Sequence, residues 1–230
     1  NYFGNKDIEK NSMVMKTIPE ALNLRSLILE NFELALQTND MNERKALMNF
    51  VIVGAGPTGV ELAGALAEMK NAVFPKDYPD LDISMMEINL VQGSDNILDA
   101  MSKKSSKAAE KFLKDLGVKI HLKTIVTNYD GKKIETKGGL SFDTHAVIWS
   151  AGVKGAPIEG MPQTLDRASR IRVNEFNQVE GFTDVFALGD VAAMYGEKYQ
   201  YGHPMMAQPA IQQGNLLAEN LERLTKKQSL

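Results

Sequence analysis

Length, composition and charge place this chain among globular proteins and exclude several classes of function. Its 230 residues are 43% hydrophobic and 24% charged, enough for one large or two modest domains with a buried core. The net charge of −3 leaves no basic stripe, so we expect no nucleic-acid partner, and the absence of cysteine leaves any redox chemistry to a bound cofactor.

The first part of the chain predicts helices that lead into a strand, a tight turn and a further helix. An apolar pattern predicts one long amphipathic helix over residues 19–38, and a shorter helix should end near Ala46. The apolar run at residues 49–53 is typical of a buried parallel strand, and a helix is expected over residues 59–72. The long helix should bury Leu24, Ile28, Phe32 and Ala35.

The middle of the chain predicts the rest of a sheet. Strands are expected at residues 88–92 and 118–122, with an amphipathic helix at residues 102–116 between them. A further buried strand is expected at residues 146–150. Short β-prone segments separated by glycine turns predict an antiparallel meander, and they cover residues 124–128, 133–136 and 140–142.

The last third predicts a change of domain. Residues 153–178 show no regular pattern and indicate a crossover, followed by a short strand at residues 185–188 and a helix at residues 209–224. The helix should turn Ala210, Gly214, Leu217, Leu221 and Leu224 inward. We therefore predict an α/β fold in which residues 46–152 form a Rossmann-like, three-layer nucleotide-binding domain with a parallel sheet and a β-meander. Residues 1–45 and 153–230 would belong to something else.

One motif carries specific chemistry. Gly54-Ala55-Gly56-Pro57-Thr58-Gly59 fits the GxGxxG pattern and stands between the predicted strand and helix, as dinucleotide binding requires. The first glycine makes the tight turn, the second leaves room for a pyrophosphate, and the third lets helix and strand pack closely. N–H groups at the helix N-terminus then bind the phosphates, so residues 54 and 56–59 are predicted to hold NAD(H).

Two side chains outside the turn bear on the nucleotide. The second strand should end on an acidic residue that holds the ribose hydroxyls, but here it ends on Gln92. An amide does not repel a 2′-phosphate as a carboxylate would. Because no Arg or Lys follows Gln92 before Lys103, we still expect NADH to bind more tightly than NADPH. Glu61 lies in the first turn of the predicted helix. A favourable interaction of its carboxylate with the helix dipole would by itself explain an acidic residue at this position.

Several segments together resemble the type II NADH dehydrogenases, single-chain flavoproteins that pass electrons from NADH to a membrane quinone without pumping protons. The segments are NYFGN at residues 1–5, VIVGAGPTGVELAG at 51–64, VIWSAGV at 147–153, DVFALGD at 184–190 and AQPAIQQG at 207–214. The resemblance implies hydride transfer from the nicotinamide to flavin N5 and then electron transfer to quinone, for which the protein mainly orients the two rings.

The resemblance also implies roles for individual residues. Glu61 would stand near the nicotinamide and the flavin and gate access, and Gln212 would lie beside the quinone pocket, which makes these two the catalytic candidates. Residues 1–5 would line the flavin site. Further contacts with the cofactors would come from Gln92, Ala151, Gly152, Gly189, Asp190, Ala207 and Gln208. No metal is expected, because His121, His145 and His203 show no metal-ligand spacing.

A further implication is that the chain is a fragment. It lacks the first flavin βαβ unit and the C-terminal region that holds such enzymes at the membrane, so residues 1–45 and 153–230 would be parts of an incomplete FAD-binding domain. FAD would then be bound only by the full-length protein, which would be cytoplasmic, lie at the inner face of the plasma membrane and be compatible with a homodimer. The isolated fragment would be inactive.

Two other functions remain open. One is an NAD(P)H-dependent flavin reductase with a soluble acceptor. An assay of quinone reduction by the full-length protein would distinguish it from a quinone reductase. The other is a non-enzymatic NAD(H)-binding sensor, because fold does not fix function. A colourless full-length protein that still binds NADH would favour the sensor.

Overall fold

The computed structural model describes residue 2 and residues 4–160 and 164–228. Asn1 and Phe3 of the first resembling segment, and residues 161–163 of the predicted crossover, lie outside the described residues. The chain divides into two compact units, Asn1–Gly152 and Val153–Leu230.

The first unit contains the predicted sheet and its helices. Its helices are α1 (Lys6–Asn11), α2 (Ile18–Gln37), α3 (Met41–Leu47), α4 (Pro57–Ala72), α5 (Phe74–Asp77) and α6 (Lys103–Asp115), with a short 3-10 helix at Ile83–Met85. Its strands are β1 (Asn49–Val53), β2 (Glu87–Val91), β3 (Lys119–His121), β4 (Val126–Tyr129), β5 (Lys133–Thr136), β6 (Ser141–Asp143) and β7 (Ala146–Trp149).

A parallel sheet with strand order β3-β2-β1-β7 forms the middle layer of this unit. Because successive side chains of a strand point to opposite faces of the sheet, β1 contributes side chains to two hydrophobic cores. Phe50 and Ile52 pack with the helices, and Val51 and Val53 pack on the other face with residues of the meander. The meander itself is antiparallel, with β5 between β4 and β6. The predicted α/β fold with three layers is therefore confirmed.

Local signals explain where the long helix α2 begins and what it buries. Thr17 and Glu20 form a capping box, and Pro19 lies in the first turn, where it costs no hydrogen bond. The predicted inward residues Leu24, Ile28, Phe32 and Ala35 are all buried. The insertion between α4 and β2 is not a plain loop, because its Phe74 packs 4.4 Å from the Phe32 ring, measured between ring centroids.

Polar side chains of three neighbouring strands form a small network inside the first unit. Asn89 is fully buried, and its Nδ2 donates to Asn49 Oδ1 at 2.8 Å. That bond leaves Asn89 Oδ1 as the acceptor for His121 Nε2, also at 2.8 Å. Burial is the main reason why the pKa of His121 lies below its ordinary value; the nearby charge of Lys119 lowers the pKa further, and that of Glu87 raises it. The structure therefore favours a neutral imidazole.

The second unit contains a small sheet and one long helix. Its elements are β8 (Ile171–Val173), a 3-10 helix at Gly189–Val191, β9 (Ala192–Met194) and α7 (Ala207–Thr225), and β8 pairs with β9 in parallel. A buried ion pair joins Arg170 Nε to Asp166 Oδ2 at 2.8 Å, with side-chain exposures of 8% and 7%. Burial raises the pKa of Asp166, but the hydrogen bonds and charge of Arg170 outweigh it, so the pKa lies below the usual value.

Several predictions for the chain were wrong. The helix expected from residue 59 begins at Pro57, because proline suits a first helical position. The strand expected at residues 185–188 is missing: these residues form one isolated bridge, from Phe186 to Gln178, before Gly189 at φ +70° turns the chain. In contrast, β8 forms inside residues 153–178, which were expected to be irregular.

The inward face predicted for the last helix was also partly wrong. Leu221 and Leu224 are 44% and 42% exposed, whereas the polar Gln213 and Asn220 are 5% and 2% exposed. The apolar pattern misleads here because Gln213 makes hydrogen bonds inside the unit, and these bonds offset the cost of burying an amide.

Candidate functional site

Two glycines of the GxGxxG turn are required by the packing of the first unit. A Cβ atom on Gly59 would lie 1.9 Å from the carbonyl oxygen of Gly54. A Cβ atom on Gly54 would lie 2.6 Å from the backbone nitrogen of Ala151, and Gly54 also has φ +102°. The ends of β1 and β7 and the start of α4 therefore meet at distances that only glycine allows.

Gly56 has no such reason to be glycine. A Cβ atom on it would meet nothing within 4 Å, and its backbone has φ −72° and ψ −175°, which any residue can adopt. It is the N-cap of α4, where no side chain makes a capping hydrogen bond. A glycine at this position keeps the approach to the helix N-terminus open, which is the requirement of a pyrophosphate-binding turn.

Ser150 fixes the turn and was not identified as a site residue from the sequence. Its hydroxyl donates to the carbonyl oxygens of Val53 at 2.9 Å and Gly54 at 2.7 Å. The N–H of Gly54 donates to Val91 O at 2.8 Å, so the turn is tied to both neighbouring strands. The available signal was a serine at the end of the apolar strand β7.

Gln92 follows β2 and is bonded to the glycine turn. Its Oε1 accepts the N–H of Ala55 at 2.8 Å, and its Nε2 donates to Ser94 Oγ at 2.6 Å and to Asp99 Oδ2 at 3.3 Å. Sequence reasoning ended the second strand on Gln92, one residue beyond the observed end of β2 at Val91, and missed Ser94 and Asp99. Their part in the site depends on how the loop after β2 folds back.

A cavity of about 410 Å³ opens at the carboxyl ends of β1, β2 and β7. Ligands of open α/β sheets bind at this edge. Of the predicted residues, Gly54, Gln92 and Ala151 line the cavity, together with Asp99 and Trp149. Gly152 follows directly at φ +80°, and Pro57 and Thr58 are exposed in the first turn of α4. The structure therefore brings the predicted NAD(H) residues of the first unit to one edge of the sheet, with the exception of Glu61, which does not line this cavity.

Glu61 is the fifth residue of α4 and lies in its second turn, not in the first turn as the sequence predicted. The helix begins at Pro57 and its first turn holds no acidic residue, so the helix-dipole explanation for Glu61 is weak, because that effect fades beyond the first turn. Glu61 is exposed and lines a groove of about 530 Å³ between α4 and α6, beside the 67% exposed Phe112.

The second unit brings two predicted glutamines together. Gln208 and Gln212 line a cleft of about 360 Å³, with Tyr199 and His203 also in its wall. Both glutamines lie on α7, which begins at Ala207. Sequence reasoning missed the next residue, Gln213, although it is more deeply buried.

Gln213 connects the start of the 3-10 helix to the histidine of the cleft. Its Oε1 accepts the N–H of Gly189 at 2.7 Å, and its Nε2 lies 3.3 Å from His203 Nδ1. Asp190, the next residue after Gly189, is exposed. Within the described residues, no group of three His, Asp or Glu side chains could hold a metal ion. None of the described helices is long and apolar enough to cross a membrane.

Comparison with known proteins gives a consistent result. The model of the pyridine nucleotide-disulphide oxidoreductase family matches residues 13–214. A type II NADH:quinone oxidoreductase of Mycobacterium tuberculosis is 34% identical over 230 residues, which cover 96% of this chain and 48% of that protein. A mitochondrial external alternative NAD(P)H-ubiquinone oxidoreductase of Arabidopsis thaliana is 32% identical over 207 residues, covering 86% of this chain and 35% of that protein.

Among solved structures, NDH2 from Plasmodium falciparum in complex with NADH shares the fold. The TM-score is 0.73 at 22% sequence identity, and the match covers 84% of this chain and 42% of that one. The chain spans about half the length of the first two curated relatives it matches, at 48% and 49%.

Proposed function

The chain belongs to the pyridine nucleotide-disulphide oxidoreductase family, and on that premise we propose that residues 46–152 bind NADH as part of an FAD-dependent NADH:quinone oxidoreductase. The similarity to curated type II NADH:quinone oxidoreductases confirms the resemblance that the sequence predicts. In the proposed full-length enzyme, a bound flavin would supply the acceptor for the hydride of NADH on the way to quinone, and no protons would be pumped.

The glycine at residue 56 is the main observation that supports the proposal. The fold explains why residues 54 and 59 are glycine, but it gives no reason for glycine at residue 56. A pyrophosphate that lies against the N-terminus of α4 supplies that reason, because any side chain there would occupy its place. The positive end of the helix dipole would stabilise the phosphate charge.

The test is NADH binding by this chain, measured by titration calorimetry. The parent should bind NADH, and Gly56→Val should abolish binding while the circular dichroism spectrum stays that of the parent. A folded parent that shows no binding would refute the proposal, as would a Gly56→Val variant that binds NADH as tightly as the parent.

The described residues of the second unit do not by themselves fit a flavin dinucleotide. The N–H of Gly189 already donates to Gln213, and α7 follows Met206 without a glycine turn. The strands β8 and β9 have three residues each, and no α-helix lies between them in the described residues. These elements alone therefore do not build a site for the flavin. The exposed carboxylate of Asp190 is the group we propose to contact it.

The two catalytic candidates remain part of the proposal. Glu61 is exposed and solvated, which suits a residue that gates access to a bound nicotinamide, and Gln212 lines an open cleft that suits a quinone ring. In an enzyme active with quinone, Glu61→Gln should change the turnover number, whereas Gln212→Ala should raise the KM for quinone and leave the KM for NADH unchanged. Equal effects of both variants on both KM values would contradict these roles.

A further inference from the structure

The cavity beside the glycine turn contains a carboxylate that the strand pattern does not predict. Asp99 lies in the loop after β2 and lines the cavity together with Gln92 and Ser94. Its Oδ2 forms a short hydrogen bond with the hydroxyl of Ser94 and lies 3.3 Å from Gln92 Nε2. The loop therefore folds back so that the acid lies beside the position where the dinucleotide fold usually has one.

Gln92 itself is poorly suited to bind a ribose diol. A diol presents two O–H donors and needs acceptors. The one acceptor atom of the Gln92 side chain, Oε1, already takes the N–H of Ala55 and keeps one lone pair, so it can accept from one diol hydroxyl at most. Its Nε2 is a donor directed at Ser94 and Asp99. The Ala55 bond fixes this orientation of the amide, because a backbone N–H cannot donate to an NH₂ group.

Asp99 has the free acceptor atom that Gln92 lacks. Its side chain is exposed, and its Oδ1 accepts no hydrogen bond from any residue that the structure describes. Ser94 and Gln92 hold the other oxygen, which limits the rotation of the carboxylate. Lys123, which follows β3, pairs with Asp95 at 3.3 Å.

We propose that Asp99, positioned by Gln92 and Ser94, binds the adenosine ribose hydroxyls of NADH and repels the 2′-phosphate of NADPH. The proposal rests on the NADH binding proposed above and names the residue that decides between the two nucleotides. It also explains the amide at residue 92. A glutamate there would place a second carboxylate against Asp99, and two carboxylates at this distance cannot both ionise without cost.

The experiment measures the Kd of NADH and of NADPH for this chain and three variants. Asp99→Asn should lower the ratio of Kd(NADPH) to Kd(NADH) by about tenfold, because it removes the like charge that faces the 2′-phosphate. Asp95→Asn is the matched control, since Asp95 is exposed on the same loop and does not line the cavity, and its ratio should stay that of the parent. The double variant Gln92→Glu/Asp99→Asn moves the acid to the end of β2 and should restore the ratio.

The outcomes separate this inference from the proposed function. If the parent binds NADH but Asp99→Asn shifts the ratio no more than Asp95→Asn does, Asp99 is not the discriminating residue and NADH binding stands. If Asp99→Asn lowers the ratio but the double variant does not restore it, a carboxylate at residue 92 cannot take over the role of Asp99, and that part of the inference is wrong. A folded parent that binds neither nucleotide refutes the proposed function, and this inference with it.

Discussion

Replacing Gly59 by alanine tests how closely β1 and α4 pack at the glycine turn. The new Cβ would lie 1.9 Å from Gly54 O, and ordinary contact begins at 3.4 Å, so helix and turn would have to separate by about 1.5 Å. Overpacking of a rigid site typically costs about 3 kcal/mol at the upper end. Alanine also gains about 1 kcal/mol of helix propensity over glycine, which leaves a net loss of about 2 kcal/mol.

Gly64→Ala in the same helix is the matched control. Its Cβ would meet only Leu113 Cδ2 at 3.8 Å, an ordinary contact, so helix propensity should dominate and stabilise the chain by up to about 1 kcal/mol. The free energy of unfolding is measured by urea titration, with the slope m checked for constancy. The two variants should therefore change stability in opposite directions. A Gly59→Ala variant as stable as the parent would show that β1 and α4 are not in close contact.

The remaining predictions concern three polar groups. Ser150→Ala should lower the free energy of unfolding by about 1 kcal/mol and weaken NADH binding, because the carbonyl oxygen of Gly54 loses the hydroxyl, whereas Val53 O keeps the N–H of residue 150. Unchanged values of both would contradict the role of Ser150. Since the pKa of His121 is lowered in the folded chain, the unfolded chain binds more protons near its ordinary value of about 6.5. The free energy of unfolding should therefore fall as the pH drops through that value. Urea titrations between about pH 7.5 and 5.5 should show a smaller fall for His121→Gln than for the parent. An equal dependence on pH in both proteins would exclude His121 as its source. Arg170→Met leaves Asp166 buried without its cation and should lower the free energy of unfolding, measured in urea, by about 3 kcal/mol or more. A loss below about 1 kcal/mol, the value of an exposed ion pair, would refute that account.

Much of the first unit follows from local patterns. Apolar or alternating segments of strand length predicted β1, β2, β3 and β7. In β1, Phe50 and Ile52 alternate with Val51 and Val53, and both faces are covered. The second unit was predicted less well. Its strands β8 and β9 have three residues each, too few for a periodic signal, and they pair across about twenty residues of irregular chain.

The GxGxxG turn was determined by the sequence itself, because strand, turn and helix follow one another directly along the chain. Only the tertiary structure separated the reasons for its glycines: Gly54 and Gly59 are glycine for packing against Ala151 and the turn, and Gly56 is glycine with no described neighbour to require it. The same holds for the ribose edge. The sequence predicts that Gln92 follows a strand, but its bonds to Ala55 and to Asp99 depend on a loop that folds back through space. The bonds of Ser150 and Gln213 join residues distant along the chain, and those of Asp99 depend on the fold of an irregular loop. Neither kind of bond leaves a periodic trace in the sequence, which is why these three residues emerged only from the fold.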